Sequence, residues 1–467
     1  MTRVLGRFVS LEMALLGLCE LTLSFLVIFA MLNAPGVVPV LFGHERMTPP
    51  AAVAQGTASL AILLSCTVVL TAAAIGLYRP EICIERRRLL INTGVAGLLA
   101  FPAVLVVSGS FNVGLSPYAI LWLTKVLFAW LACMVASRVI FNRVMRERWF
   151  VRRILVLGSG PYITRVKRLI NSGRGQLFEP IFGDHGVGRQ FLDEPPTPAT
   201  LRRQRIWGIV IAGGLDKDDA ETIPVRRLLD CKLRGVPVFD EAGFSEQHLG
   251  RIDLDSVRTD WLLLADGFSN GRIAGAVRRG LDIVVSLALL LLTLPLMLIT
   301  AALIRLESAG PVLYRQTRVG LHGEPFTLLK FRSMTLDAEE VGKPRWALQQ
   351  DPRVTHVGGF IRPMRIDELP QLLNVLRGEM SLVGPRPERP MFVEELAKVI
   401  PFYRERGYVK PGITGWAQVN FPYGASVEDA RQKLSYDLYY VKNRSLLLDL
   451  FILMSTIRVI LFREGAR

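Results

Sequence analysis

Cysteine and histidine are scarce and scattered. The chain has five of each, and no two cysteines form a C-x-x-C pair. Cys19, Cys66, Cys83, Cys133 and Cys231 stand far apart and the histidines do not cluster, which argues against a zinc site. Most of these cysteines read as small apolar fillers in membrane helices. Acidic residues are in deficit, 41 against 56 Lys and Arg, for a formal charge of +15. That balance suits nucleic acid or an anionic membrane surface. The basic residues flank long apolar blocks, so the membrane reading wins and no nucleic acid partner is expected. Hydrophobic residues make up 51% of the 467 positions. They gather in blocks of about 20, the length that crosses a bilayer. No small-residue cleavage site follows the first block, so no cleavable signal peptide is expected.

Four blocks lie in the first third, at residues 8–32, 58–78, 89–107 and 118–141. Arg3 and Arg7 precede the first. Arg79, Arg86, Arg87 and Arg88 fill the second connection, and Arg138, Arg143, Arg146, Arg148, Arg152 and Arg153 end the fourth block and follow it. The first connection has Arg46 as its only basic residue besides His44, and residues 108–117 carry no charge. Four spans with both ends cytoplasmic satisfy the positive-inside rule. Glu20 and Lys125 sit inside spans, and charge sign alone pairs them.

From residue 151 the composition becomes that of an α/β domain. Residues 153–157 read as a buried strand, Gly158-Ser159-Gly160 as a turn into a helix, and 206–212 and Val236 to Val238 as later strands. The alternation suggests a Rossmann-like domain over 146–265. Its dinucleotide fingerprint is incomplete, because Ile163 stands where the third glycine belongs. A structural or regulatory domain and a nucleotide-binding one both stay open.

A fifth apolar block, 281–303, has Arg272, Arg278 and Arg279 before it and Arg305, Arg315 and Arg318 after it. Basic flanks on both sides argue that both ends stay inside. Pro295 removes a backbone donor mid-block and bends a helix. A re-entrant helix over 280–304, broken at Pro295, reconciles these facts; a straight fifth span is the competing reading.

The most informative stretch is Arg365-Ile366-Asp367-Glu368-Leu369-Pro370-Gln371-Leu372-Leu373-Asn374-Val375-Leu376-Arg377-Gly378, continuing to Pro385-Arg386-Pro387. Leu369, Leu372, Leu373 and Leu376 mark one helical face, and Gly378 is a natural stop. A helix starting near Asp367 would favour an anion there. Asp367 and Glu368 cannot be equivalent, since successive helical residues point about 100° apart. One can attack or bind metal while the other supports it. Arg362 and Arg365 keep carboxylates ionised and can clamp phosphate. An N-terminal cap with surface ion pairs is the bland alternative.

This stretch resembles the signature of the bacterial polyprenyl-phosphate hexose-1-phosphate transferases, monotopic phosphoglycosyltransferases that start exopolysaccharide and O-antigen synthesis. The resemblance covers residues 272–467. It includes Gly310-Pro311-Val312-Leu313-Tyr314-Arg315-Gln316, Lys330-Phe331-Arg332-Ser333-Met334, and Lys410-Pro411-Gly412-Ile413-Thr414-Gly415-Trp416. The tail Tyr423-Gly424-Ala425-Ser426, with Tyr436-Asp437-Leu438-Tyr439-Tyr440, looks like the subgroup found with exosortase-linked systems. The resemblance implies four transmembrane helices (1–145), the Rossmann-like domain and a C-terminal α+β transferase domain (272–467) with a re-entrant helix, on the cytoplasmic face of the bacterial inner membrane. It implies that Asp367 attacks the β-phosphate of a UDP-sugar, expels UMP, and passes the phosphosugar to undecaprenyl phosphate. Glu368 would support Mg²⁺ together with Asp367. Lys330, Arg332, Arg362, Arg365 and the Pro385-Arg386-Pro387 turn would bind substrate. A membrane-anchored nucleotide-sugar dehydratase would need an intact glycine fingerprint and a Tyr-x-x-x-Lys pair, and neither is evident. A non-enzymatic scaffold or transporter would leave the ordered motifs unexplained. The sugar and the oligomeric state, including a homo-oligomer, stay open.

Overall fold

The protein is described from a computed structural model. It covers residues 2–4, 7–9, 11–34, 50–75, 77–78, 86–110, 117–146, 152–158, 160–170, 178–182, 197–213, 225–255, 271–335, 353–421, 424 and 426–461. The connections behind the orientation argument (35–49, 79–85, 111–116) lie outside these residues, as does all but the last residue of 336–353, which the sequence reads as a mobile polar excursion. The chain divides into two compact units, parting between Phe244 and Ser245.

The first unit contains four long helices: α1 (Leu11–Leu32), α2 (Pro50–Ala74), α3 (Arg86–Ser110) and α4 (Pro117–Arg146). Each holds a stretch long and apolar enough to cross a membrane. α1 packs on α2 and α4, and α3 on the same two, which closes a ring. Ala119, Leu123, Val126, Trp130, Met134 and Arg138 are the buried stripe of α4, spaced three or four apart as one helical face requires. Lys125 falls off this stripe and is exposed. The partner of Glu20 is therefore Arg138. Arg138 Nε lies 2.9 Å from Glu20 Oε1 and Nη2 donates to Oε2 at 2.9 Å. Ser137 Oγ donates to the same carboxylate at 2.8 Å, and the guanidinium stacks over the Tyr78 ring. Both charges are buried and paired, as charges in a membrane interior must be.

The unit continues as a parallel sheet of β1 (Arg152–Leu157), β2 (Phe178–Phe182), β3 (Ile206–Ile211) and β4 (Val238–Asp240), in the order β2-β1-β3-β4. Helices α5 (Gly160–Ile170) and α6 (Val225–Leu233) accompany it. Ile154, Leu155, Val156, Ile209 and Val210 are fully buried, so these strands read as apolar runs without alternation.

The second unit begins at Ser245, ahead of residue 272, where the sequence puts the transferase domain. Gly250 O accepts the Trp416 indole N–H at 2.7 Å, Ile252 N–H donates to Ser435 O at 2.9 Å, and Glu246 accepts from Lys442 and Asn443. Ile252 and Leu254 join the core. They alternate with charged residues in a segment too short for a periodic signal.

Helix α7 (Arg272–Glu307) is 36 residues long and continuous through Pro295, so any change of direction there is a bend within one helix, not a gap between two. A hairpin follows, β5 (Leu313–Val319) with β6 (Pro325–Phe331). Then come α8 (His356–Ile361), α9 (Gln371–Arg377), strand β7 (Ser381–Val383) and α10 (Pro390–Val399). Strand β8 (Gly412–Thr414) pairs in parallel with β7. Helices α11 (Trp416–Asn420), α12 (Val427–Asn443) and α13 (Leu446–Leu461) complete the unit. Trp416, Val375, Met380, Leu438 and Ile452 form its core. Helix α13 has two apolar faces. Leu448, Ile452 and Val459 are buried in the core, while Leu446, Leu450, Ile457 and Ile460 present an exposed apolar face.

Candidate active site

The carboxylate pair does not open a helix. Ile366–Glu368 is a single 3-10 turn, and α9 begins only at Gln371. The cause is Arg365, which sits in the left-handed region at φ 55 and breaks the helical path. A non-glycine residue there costs about 1–2 kcal/mol, and such strain gathers at functional sites. Ile366 anchors the turn in a cluster with Ile304, Phe331 and Ile361. At the far end of α9, Gly378 adopts φ 87 and closes the helix as its sequence position predicts.

The two carboxylates differ sharply. Arg386 Nη2 donates to Glu368 Oε1 at 2.9 Å and Arg365 Nη1 to Oε2 at 3.3 Å. Burial alone would push Glu368 up, but these two arginines outweigh it and hold the carboxyl below its ordinary value. Asp367 has no hydrogen-bond partner among the described residues. Burial first and the Glu368 charge second push it up to about 7, against the pull of Lys330, Arg386 and Arg362. Lys330 faces Tyr314 across the hairpin, its ammonium 5.1 Å from the ring centre. Burial pushes it down to about 8. The site therefore holds an under-neutralised aspartate beside a glutamate locked into a cationic cradle.

Asp367, Glu368, Lys330, Arg362, Arg365 and Arg386 come together. Arg332 does not join them. Its guanidinium donates to Ala309 O at 2.6 Å and Ser308 O at 2.8 Å, closing the carbonyl end of α7. A cation near a helix C-terminus is stabilising there, and Arg332 is buried. Pro385 and Pro387 act through their carbonyls. Gly412 N–H donates to Pro385 O at 2.9 Å, and Arg318 Nη1 to Pro387 O at 3.0 Å. Glycine is required where β7 and β8 meet this turn. A Cβ on Gly384 would lie 2.3 Å from Lys410 O, and one on Gly412 2.1 Å from Gly384 N. Gly412 and Gly415 of the loop that follows Lys410 thus serve close approach to the chain's own backbone.

Sequence reasoning missed the frame behind Arg386. Arg406 Nη2 donates to Arg386 O at 2.9 Å and lies 2.8 Å from Asp437 Oδ2, while Nη1 donates to Tyr403 Oη at 2.9 Å. Burial pushes Asp437 up to about 6. Tyr314, Gln316 and Arg318 form a second bonded row. Their alternate spacing puts them on one strand face, the signal that could have found them. Beside Arg386 opens a cavity of about 420 Å³, lined among others by His322, Pro387, Glu388, Arg406 and Tyr408.

Among the described residues no three His, Cys, Asp or Glu converge on a point. Both Glu368 oxygens are engaged, which leaves Asp367 as the available donor. One carboxylate suits Mg²⁺, which fills its shell with water and substrate phosphate.

The sequence pattern of the bacterial sugar transferase family matches residues 273–463. The chain is 42% identical over 62% of its length to UDP-N-acetylgalactosamine-undecaprenyl-phosphate N-acetylgalactosaminephosphotransferase of Aeromonas hydrophila, and 33% identical over 74% of its length to undecaprenyl-phosphate glucose phosphotransferase of Komagataeibacter xylinus. It spans 66% of each of these relatives. It is 43% identical over half its length to UDP-glucose:undecaprenyl-phosphate glucose-1-phosphate transferase of Caulobacter vibrioides, of which it covers 88%. The matched region contains every residue of the carboxylate–arginine site, and the chain belongs to the bacterial sugar transferase family.

Proposed function

We propose that this chain transfers a sugar-1-phosphate from a UDP-sugar to undecaprenyl phosphate, the first membrane step of exopolysaccharide synthesis. The observation that carries the reading is the asymmetry of the pair. Glu368 is bound at both oxygens, while Asp367 is buried, without a hydrogen-bond partner among the described residues, and under-neutralised. A carboxylate nucleophile divides one hard displacement into two. An Asp367 oxygen attacks the β-phosphorus, the bond to the UMP oxygen breaks, and UMP leaves with that electron pair. An oxygen of the lipid phosphate then attacks the same phosphorus and the aspartyl–phosphate bond breaks, restoring the carboxylate. Arg386, Arg362 and Lys330 meet the charge that gathers on the equatorial oxygens, the dominant requirement of phosphoryl transfer. Glu368 keeps Arg386 and Arg365 in place. Mg²⁺, held by Asp367 and substrate phosphates, would neutralise the diphosphate.

The membrane reading completes the picture. α7 is apolar enough to cross a bilayer, and at about 1.5 Å per residue its length far exceeds the roughly 30 Å hydrocarbon core. Yet both its ends fasten to the same unit. Arg278 bonds Asp449 at 2.6 Å near one end, and Glu307 accepts the His356 N–H at 2.7 Å at the other. Leu291, Leu292, Leu298 and Ile299 between them are exposed. This supports re-entry from one face of the membrane, and the basic residues that flank the apolar blocks favour the cytoplasmic side of the inner membrane, with four spans before the re-entrant helix. The sheet reads as a Rossmann-like structural domain. At the β1/β3 crevice, where a nucleotide would bind, a Cβ on Gly158 would lie 2.4 Å from Ala212 O, and the Tyr162 ring covers Gly213. That crowding disfavours the dehydratase.

The test is UMP release from a panel of UDP-sugars by the full chain in membranes, with undecaprenyl phosphate and Mg²⁺. Lipid-dependent release that disappears in Asp367→Asn supports the reading and names the sugar. Release that persists in Asp367→Asn removes the aspartyl intermediate.

A further inference from the structure

The two arms of α7 are fastened to different halves of the site. On the C-terminal arm, Glu307 caps α8 through the His356 and Val357 N–H groups, and Arg332, two residues beyond Lys330, closes the end of α7. Ile304 packs with Ile366, the residue before Asp367. This arm holds the aspartate and the lysine. On the N-terminal arm, Asp282 is buried, and its Oδ1 accepts from Ser381 Oγ at 3.0 Å and from Leu382 N–H at 3.0 Å. Those donors belong to β7, whose next residues are Gly384, Pro385 and Arg386. That short run is pinned by Gly384 N–H to Thr414 O at 2.9 Å and Gly412 N–H to Pro385 O at 2.9 Å. Arg386 then reaches Glu368 at 2.9 Å. Arg279 ties the far end of α9 to the same arm through the Val375 and Leu376 carbonyls.

The reacting groups and the membrane helix thus form one bonded frame. Strand β7 spans three residues and has β8 as its only strand partner among the described residues, so its position depends on what grips it from the side. Tyr440 Oη donates to Val383 O at 3.2 Å on the α12 side, and Asp282 is the grip from the membrane helix. We infer that Asp282 is a positioning residue for the transfer: by holding β7 against the membrane helix, it sets where Arg386 stands over the Asp367–Glu368 turn. The inference rests on the proposed transfer reaction.

The role requires an acceptor at Asp282. Asparagine keeps one and alanine does not. The experiment uses the full chain in lipid nanodiscs, with undecaprenyl phosphate, Mg²⁺, and UDP-glucose or UDP-N-acetylgalactosamine as donor. Asp282→Ala lowers kcat by about 100-fold, the scale of an ångström-level misplacement, while KM for the donor moves far less. Asp282→Asn restores most of the turnover. In an Arg386→Met background, Asp282→Ala has little further effect, because coupled residues are not additive. Where Asp282→Ala does not fold by its thermal melt, Ser381→Ala takes its place; it removes one of the two donors and lowers kcat less, again only when Arg386 is present. Equal losses with and without Arg386, or unchanged kcat in a folded Asp282→Ala, overturn the inference alone. A wild type that releases no UMP from either donor removes the transfer reading, and this inference with it.

Discussion

Two adjacent carboxylates become chemically distinct through what touches them. Glu368 takes two guanidinium groups, and Asp367 takes none directly. The sequence displays the pair but not this division, because it hinges on the left-handed turn at Arg365, which no local pattern announces. The division has a pH signature. Asp367 attacks only when ionised, and its carboxyl stands at about 7, so kcat/KM climbs as pH rises through that value. Lys330 supports the phosphate only as the cation, and it stands at about 8, so the rate falls again above that. The profile is a bell with its maximum between the two. Lys330→Met removes the alkaline limb. It also shifts the acid limb upward, because the lysine charge lowers Asp367. A flat profile through neutrality would exclude Asp367 as the titrating nucleophile. Asp367→Asn lowers kcat by more than about 1,000-fold, the scale on which single nucleophiles act, with the fold intact by circular dichroism.

At the scale of elements, the sequence announces what periodicity and punctuation can carry. Of the face marked by Leu369, Leu372, Leu373 and Leu376, Leu372 is buried and the other three are half-buried, with Val375 buried beside them, and Gly378 ends α9. Pro390 stands in the first turn of α10, where its missing N–H costs nothing. What escapes is any role decided by long-range contact. Arg332 looks like a phosphate ligand beside Lys330, yet it is spent on the end of α7. Glu20 is matched in sequence by Lys125 in sign alone, and only the helical stripe through Met134 and Arg138 shows the true partner. The Arg332 assignment separates two outcomes. As a clamp on α7, Arg332→Met lowers stability by about 2–3 kcal/mol, the cost of losing charged hydrogen bonds to buried carbonyls, and leaves KM for the UDP-sugar nearly unchanged. As a phosphate ligand it would instead raise KM without moving the thermal midpoint. Melting curves and donor titrations on one preparation decide between them.

At the scale of the whole molecule, the question is how a water-soluble donor and a lipid acceptor meet one aspartate. The charge pattern of the sequence argues that both flanks of the fifth apolar block remain on one side. Packing adds an independent argument. Arg278, Arg279 and Asp282 bond the second unit near one end of α7, and Ile304 and Glu307 do so at the other. A helix that crossed the bilayer would carry one of these sets to the opposite face, away from the partners it is bonded to. On the proposed reading, the exposed apolar residues between the two sets dip into a leaflet and return, and the apolar outer face of α13 suits the same interface. The prediction is made on a chain freed of its five cysteines, carrying Gly271→Cys or Ala309→Cys at the two ends of α7. In sealed inside-out vesicles a membrane-impermeant maleimide labels both positions, and in right-side-out vesicles it labels neither until the membrane is permeabilised. Labelling of the two positions from opposite sides would make α7 a fifth span. The bonds at Arg278 and Glu307 could then not both exist, and the lipid phosphate would lose its route to Asp367.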